Sequence, residues 1–170
     1  MKRTLALIEQ VIEEHRTIFQ RLDRVANDAE ALRSFEKAEG VFMPGRLDQK
    51  AGLDKLEELV NLVDQGLQAH FEREETAVLA VFEEQDDKEL ASAFHSLISE
   101  HEDLRNRLAQ TKNHVAQLTR GELSRSHWEA TAYDMRAHMN HTRKLLEAHA
   151  GVEQELLLSL RRKLLGKKKV

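Results

Sequence analysis

Four stretches of this chain carry apolar residues at alternating steps of three and four, and each stripe contains a histidine: His15, His70, His101 and His149. Such spacing puts a stripe on one face of an α-helix, so each histidine points at whatever its helix buries. The first stripe runs Ile8, Ile12, His15, Phe19, Leu22, Ala26 and Ala29; the second runs Leu56, Leu59, Val63, Leu67, His70, Glu74, Ala77 and Val81. Leu90, Phe94, Leu97, His101, Leu104, Leu108, Val115 and Leu118 make the third. Trp128, Met135, His138, Thr142, Leu145, His149, Glu153, Leu156 and Leu160 make the fourth. A chain patterned in this way has to bring four buried faces together.

The punctuation agrees. Gly40, Pro44 and Gly45 mark a long loop, EEQDDKE a tight turn near Asp86, Gly121 a helix C-cap and Ser126 an N-cap. Helices are therefore expected at about 3–34, 48–84, 87–119 and 126–165, with one proline and seven glycines in 170 residues leaving little room for other structure. The expected fold is all-α, an up-down-up-down four-helix bundle forming a single domain over residues 1–170.

Composition narrows the chemistry. There is no cysteine, so disulfides, thiolate zinc sites and cysteine-held iron–sulfur clusters are excluded, and any metal is held by imidazole and carboxylate. A net charge of −4, from 26 basic and 30 acidic residues, supplies no broad basic surface for nucleic acid. The sequence contains no run of 18 consecutive apolar residues, so no membrane segment is expected, and the chain reads as cytoplasmic.

In an antiparallel bundle, heights compare by counting residues to a shared end. Counted so, the four histidines lie ~13 to 16 residues from the same end, roughly 20 to 24 Å, and form one layer. Glu74 and Glu153 follow His70 and His149 by four residues, on the same face and one turn away. Four imidazoles and two carboxylates exceed what one tetrahedral zinc needs and suit iron or manganese in a two-metal centre. Burying that set without a cation would cost several kcal/mol. A ferritin-like carboxylate site is disfavoured, because it uses Glu-x-x-His and no histidine here has a glutamate three residues before it. A haem bundle would leave four polar core residues unexplained.

HFEREE at His70 to Glu75, SEHEDL around His101 and HAGVEQELLL from His149, with His15 on the first helix, resemble the motifs of the hemerythrin-like, HHE cation-binding family across nearly the whole chain. The resemblance implies a non-haem di-iron centre, oxo- or hydroxo-bridged, held by His15, His70, Glu74, His101, His149 and Glu153, with Glu74 and Glu153 bridging. Oxygen-carrying members have a second histidine four residues from the third-helix ligand and an aspartate in the last motif. Here Leu97 and Arg105 flank His101 at that spacing, and the last motif carries Glu153. One iron would then keep a position open for an exogenous ligand.

The expected function is a non-enzymatic protein that binds or senses dioxygen, nitric oxide or iron, with no catalytic residue assigned. The alternative is a di-iron oxidoreductase acting on peroxide or nitric oxide. The partner expected is a small molecule, and a sensor with no output domain would signal through a partner or through its own homo-oligomeric assembly. Gly66, four residues before His70, reads either as room for a ligand or as close helix packing. Glu14, Glu75, Glu100 and Glu147 flank the expected ligands and are read by default as a solvated face, with hydrogen bonds to the imidazoles as the other reading. His138 is expected to pair with a polar neighbour, and no role is assigned to His95, His114, His127 or His141. The terminal lysines would offset a helix C-terminus.

Overall fold

A computed structural model describes residues 2–32 and 47–166. The loop expected around Gly40 to Gly45 and the terminal lysines lie outside the described residues. Four rods carry the chain. The first is α1, Lys2–Ala31. The second joins α2, Leu47–Arg73, through a π-helical turn, Glu74–Val78, to α3, Leu79–Glu83. The third is α4, Lys88–Ile98, followed by α5, His101–Arg120; the fourth is α6, Arg125–Gly166.

The rods pack in a closed square. α1 meets α2, α2 meets α5, α5 meets α6, and α6 returns to α1, which gives the expected up-down-up-down bundle. Two apolar clusters fill it. One gathers Ile18, Leu22, Val63, Leu67, Leu104, Leu108 and Leu146 with Trp128 toward one end. The other holds Ile8, Val11, Val78, Phe82, Phe94, Leu97 and Leu157, with the Phe82 and Phe94 rings stacked at 4.2 Å to tie the second rod to the third. Between the clusters lies the polar layer of four histidines and two glutamates, all buried.

Two departures from regular helix flank that layer, and neither was expected from the stripes. Buried residues on the second rod fall at His70, Glu74, Val78 and Phe82, steps of four, so the expected Ala77 and Val81 give way to the residues just after them. An α-helix turns ~400° in four residues, and each such step would carry the buried face ~40° further around the rod. The π turn absorbs the excess residue. Its widened ring shows in the Leu79 N–H bonding the Glu74 carbonyl five residues back, and the Thr76 hydroxyl donates to the Glu72 carbonyl at 2.7 Å.

The third helix, expected continuous over 87–119, is broken at Ser99 and Glu100. There Glu100 N–H reaches only three residues back, to Leu97 at 3.1 Å, and His101 begins a fresh helix. Caps follow the chemistry of short side chains. Asp87 accepts from Leu90 N–H at 2.9 Å, and the helix expected to be capped by Ser126 is capped instead by Ser124, whose hydroxyl faces the His127 N–H at 3.5 Å. Gly121 ends α5 with φ +72°, as its place in the sequence implied. No described helix is long and apolar enough to cross a membrane.

Two glycines should respond oppositely to alanine. Gly121→Ala forces a Cβ into the left-handed region and should cost about 1 kcal/mol. Gly151→Ala, inside α6 with nothing within 4 Å of an added Cβ, should raise stability by roughly 0.5–1 kcal/mol. Thermal melts should therefore shift by a few degrees in opposite directions.

Candidate metal centre

Each rod brings one imidazole to the layer. His15 comes from the middle of α1, His70 from the last turn of α2, His101 from the first residue of α5 and His149 from α6. Glu74 opens the π turn, and Glu153 stands one turn beyond His149; both have no solvent exposure. All six residues singled out in the sequence converge.

They do so as two pairs. The Nε2 atoms of His15 and His70 lie 3.1 Å apart, and those of His101 and His149 lie 3.2 Å apart. Glu74 spans the pairs, with Oε1 at 2.7 Å from His70 Nε2 and Oε2 at 2.9 Å from His101 Nε2. Glu153 serves one side only: its Oε2 is 2.6 Å from His15 Nε2 and 3.7 Å from His70 Nε2. Two donor groups result, each with its atoms within 4.8 Å of one another: His15, His70, Glu74 and Glu153, and then Glu74, His101 and His149.

The outer nitrogens explain why the inner ones point inward. His70 Nδ1 donates to Glu14 at 3.0 Å, His101 Nδ1 to Glu75 at 2.8 Å, and His149 Nδ1 to Glu100 at 3.0 Å. Each carboxylate belongs to the rod before its histidine, so the contacts run first to second, second to third and third to fourth. Among the described residues the ring stays open at His15, whose Nδ1 is buried with no partner. Glu14 and Glu100 immediately precede His15 and His101, whereas Ala148 occupies that place before His149. Glu147, the remaining flanking carboxylate, turns outward to Arg143 at 2.8 Å.

Arginines anchor two of the three carboxylates, a feature missed from sequence. Arg73 donates to Glu14 at 2.6 Å, and Arg105 grips Glu75 with both terminal nitrogens, at 2.8 and 3.0 Å. The available signal was spacing, since Arg73 and Arg105 follow His70 and His101 by three and four residues. Arg105 also donates to Gln68 and lies over the Phe71 ring, which stacks on His101 at 4.1 Å. Its guanidinium is a donor of hydrogen bonds and offers no lone pair to a metal.

The inner chemistry demands a positive charge. A carboxylate only accepts, so the three bonded Nδ1 atoms carry the protons and the opposing Nε2 atoms keep lone pairs. Facing lone pairs at 3.2 Å repel unless a proton or cation sits between them. Among the described residues the four buried oxygens of Glu74 and Glu153 have no hydrogen-bond partner, although imidazole Nε2 atoms lie 2.6, 2.7 and 2.9 Å away. This donor set fits a pair of cations.

Protonation follows the same logic. Burial alone would push His70 down, but the carboxylates of Glu153 and Glu74 outweigh it and hold it up at about 10. His149 is raised likewise, Glu74 and Glu100 prevailing over burial. The imidazoles of His101, His149 and His70 overcome burial at Glu74 and hold its carboxyl far below the usual carboxylate range. Glu75 is lowered chiefly by Arg105.

The remaining histidines stay outside the layer. His138 meets the Arg107 carbonyl at 3.0 Å, as a polar pairing would have it, and the His114 ring lies beside it at 5.8 Å. His95 bonds Glu83 on the surface, and His127 and His141 are exposed. Gly66 offers the polar layer no room: a Cβ there would meet Arg21 Nη1 at 3.3 Å, in a surface groove it shares with Glu14 and Arg73.

A family model described as the hemerythrin HHE cation-binding domain matches residues 6–161. No curated protein and no solved structure matches the chain.

Cation binding should release protons. His70 and His149 gain proton affinity on folding, so in metal-free protein His70 contributes stability that is complete below its ordinary value of 6.5 and lost as pH rises through about 10. Metal affinity should climb with pH across that window. Calorimetry of cation binding in two buffers of different ionisation enthalpy checks this, and heats that do not depend on the buffer would refute it.

Proposed function

Because the chain belongs to the hemerythrin HHE cation-binding domain family, we propose that its cations are two non-haem iron ions held by the buried layer, and that the protein binds or senses dioxygen or nitric oxide there. The observation that carries this reading is the shared carboxylate: Glu74 presents one oxygen to each histidine pair. His15, His70 and Glu153 complete one position with Glu74, while His101 and His149 complete the other. The absence of cysteine ligands fits a hard-to-borderline ion.

The two positions are unequal, and the inequality supports ligand binding. The second has one protein donor fewer: of the two residues four positions from His101, Leu97 is buried in the apolar core and Arg105 is engaged with Glu75. Glu153 lies on the first pair, so bridging by it would need its carboxylate to turn toward the second. When bound, an iron pair supplies one-electron redox steps and an open coordination position. The chain does the rest. Glu14, Glu75 and Glu100 fix the tautomers of their imidazoles and raise their basicity, and the two apolar clusters exclude water from both sides of the layer.

Metal quantitation with an optical spectrum after anaerobic iron loading tests the proposal. About two iron ions per chain and the charge-transfer absorption of a bridged ferric pair are expected, and fewer than about one metal per chain would overturn it. Glu74→Ala should depress both occupancies, whereas His101→Ala should spare the position of His15 and His70. Steady turnover of peroxide or nitric oxide with an electron donor would replace sensing by an oxidoreductase role.

A further inference from the structure

On the side of the layer that holds Trp128, the bundle axis contains a cavity of about 20 Å³. Its walls are set by the same register as the ligands. Leu22, Val63, Leu108 and Thr142, one from each rod, each stand seven residues from His15, His70, His101 and His149. Seven residues are two helical turns, ~10 Å along the axis. Only one layer intervenes: Ile18, Leu67, Leu104 and Leu146, each three residues from its histidine and all buried.

The cavity has room for about one small molecule, since ~10–15 Å³ of such space admits a single water. Water, however, needs polar partners. The Thr142 hydroxyl is engaged with the His138 carbonyl at 2.9 Å, and that of Thr111 with the Arg107 carbonyl at 3.1 Å. Arg143, at the rim, is held outward by Asp23 at 3.1 Å and Glu147 at 2.8 Å. None of the lining side chains has a buried polar atom lacking a partner. An apolar void of this kind stays dry and takes up uncharged guests.

We propose that this cavity is a dry holding site for one uncharged diatomic molecule, from which the guest passes through the aliphatic layer to the metal centre. The passage rests on the proposed function; the holding site rests on the cavity alone. Crossing requires only rotamer changes of the four aliphatic side chains, motions of the kind that packed interiors permit.

Xenon serves as the probe for the cavity and nitric oxide for the passage. Crystals of the iron-loaded protein pressurised with xenon should show one peak bounded by Leu22, Val63, Leu108 and Thr142; no peak there, or an ordered water in its place, overturns the proposal. Val63→Ile, which adds one carbon to the wall, should abolish the peak and slow nitric oxide association severalfold in stopped flow, leaving iron content and the final adduct spectrum unchanged. Val25→Ile fills the same void from α1 and should act alike, so one folded variant suffices. Loss of xenon with an unchanged association rate would overturn the passage. A xenon peak in protein whose iron takes up no nitric oxide would uphold the holding site while removing the proposed function.

Discussion

The structure depends on one unfavourable placement, two carboxylates with no exposure to water in the middle of a helical core. Glu74 and Glu153 keep four oxygens that no hydrogen bond satisfies. An uncompensated buried charge costs far more than any single apolar contact returns, so positive charge has to reside among the four Nε2 atoms. The His101–His149 pair makes the same demand through its facing lone pairs. Membership of a cation-binding family and the geometry of the layer thus have a common physical root.

Meeting that demand shapes the backbone. Regular helices would carry Glu74 and the apolar residues beyond it onto diverging faces, and the π turn realigns them, so that Val78 and Phe82 continue the core while Glu74 faces the histidines. The break at Ser99 and Glu100 frees Glu100 to bond His149 and starts α5 on His101 itself. Irregular turns of this sort recur at functional sites because they re-aim a side chain at small cost. The orienting carboxylates tie each rod to the next and leave His15 without one. Among the described residues His15 is therefore the one imidazole of the layer whose outer nitrogen has no carboxylate to fix its tautomer.

Much of this was legible beforehand. Proline and glycine usage, the stripes and Gly121 were enough for four helices, and counting from shared ends brought His15, His70, His101 and His149 to one height. The family motifs then agreed with the spacing, and residues 6–161 match. What escaped was local phase. A constant 3.6-residue period places Ala77 and Val81 on the second stripe, and nothing in EETAV announces a wider turn. Ser124 and Ser126 are both good caps, and which one serves depends on where the chain leaves Gly121.

By itself the sequence determined which residues are buried polar donors and on which helix face they lie, because helical periodicity is a local property carried by neighbouring side chains. Tertiary structure alone decided how the donors are divided: Glu74 across both pairs, Glu153 on one, Arg105 turned away to Glu75. That division depends on distances of a few ångströms between rods, set by packing and by one extra residue in a turn, and no periodicity along a single helix contains them.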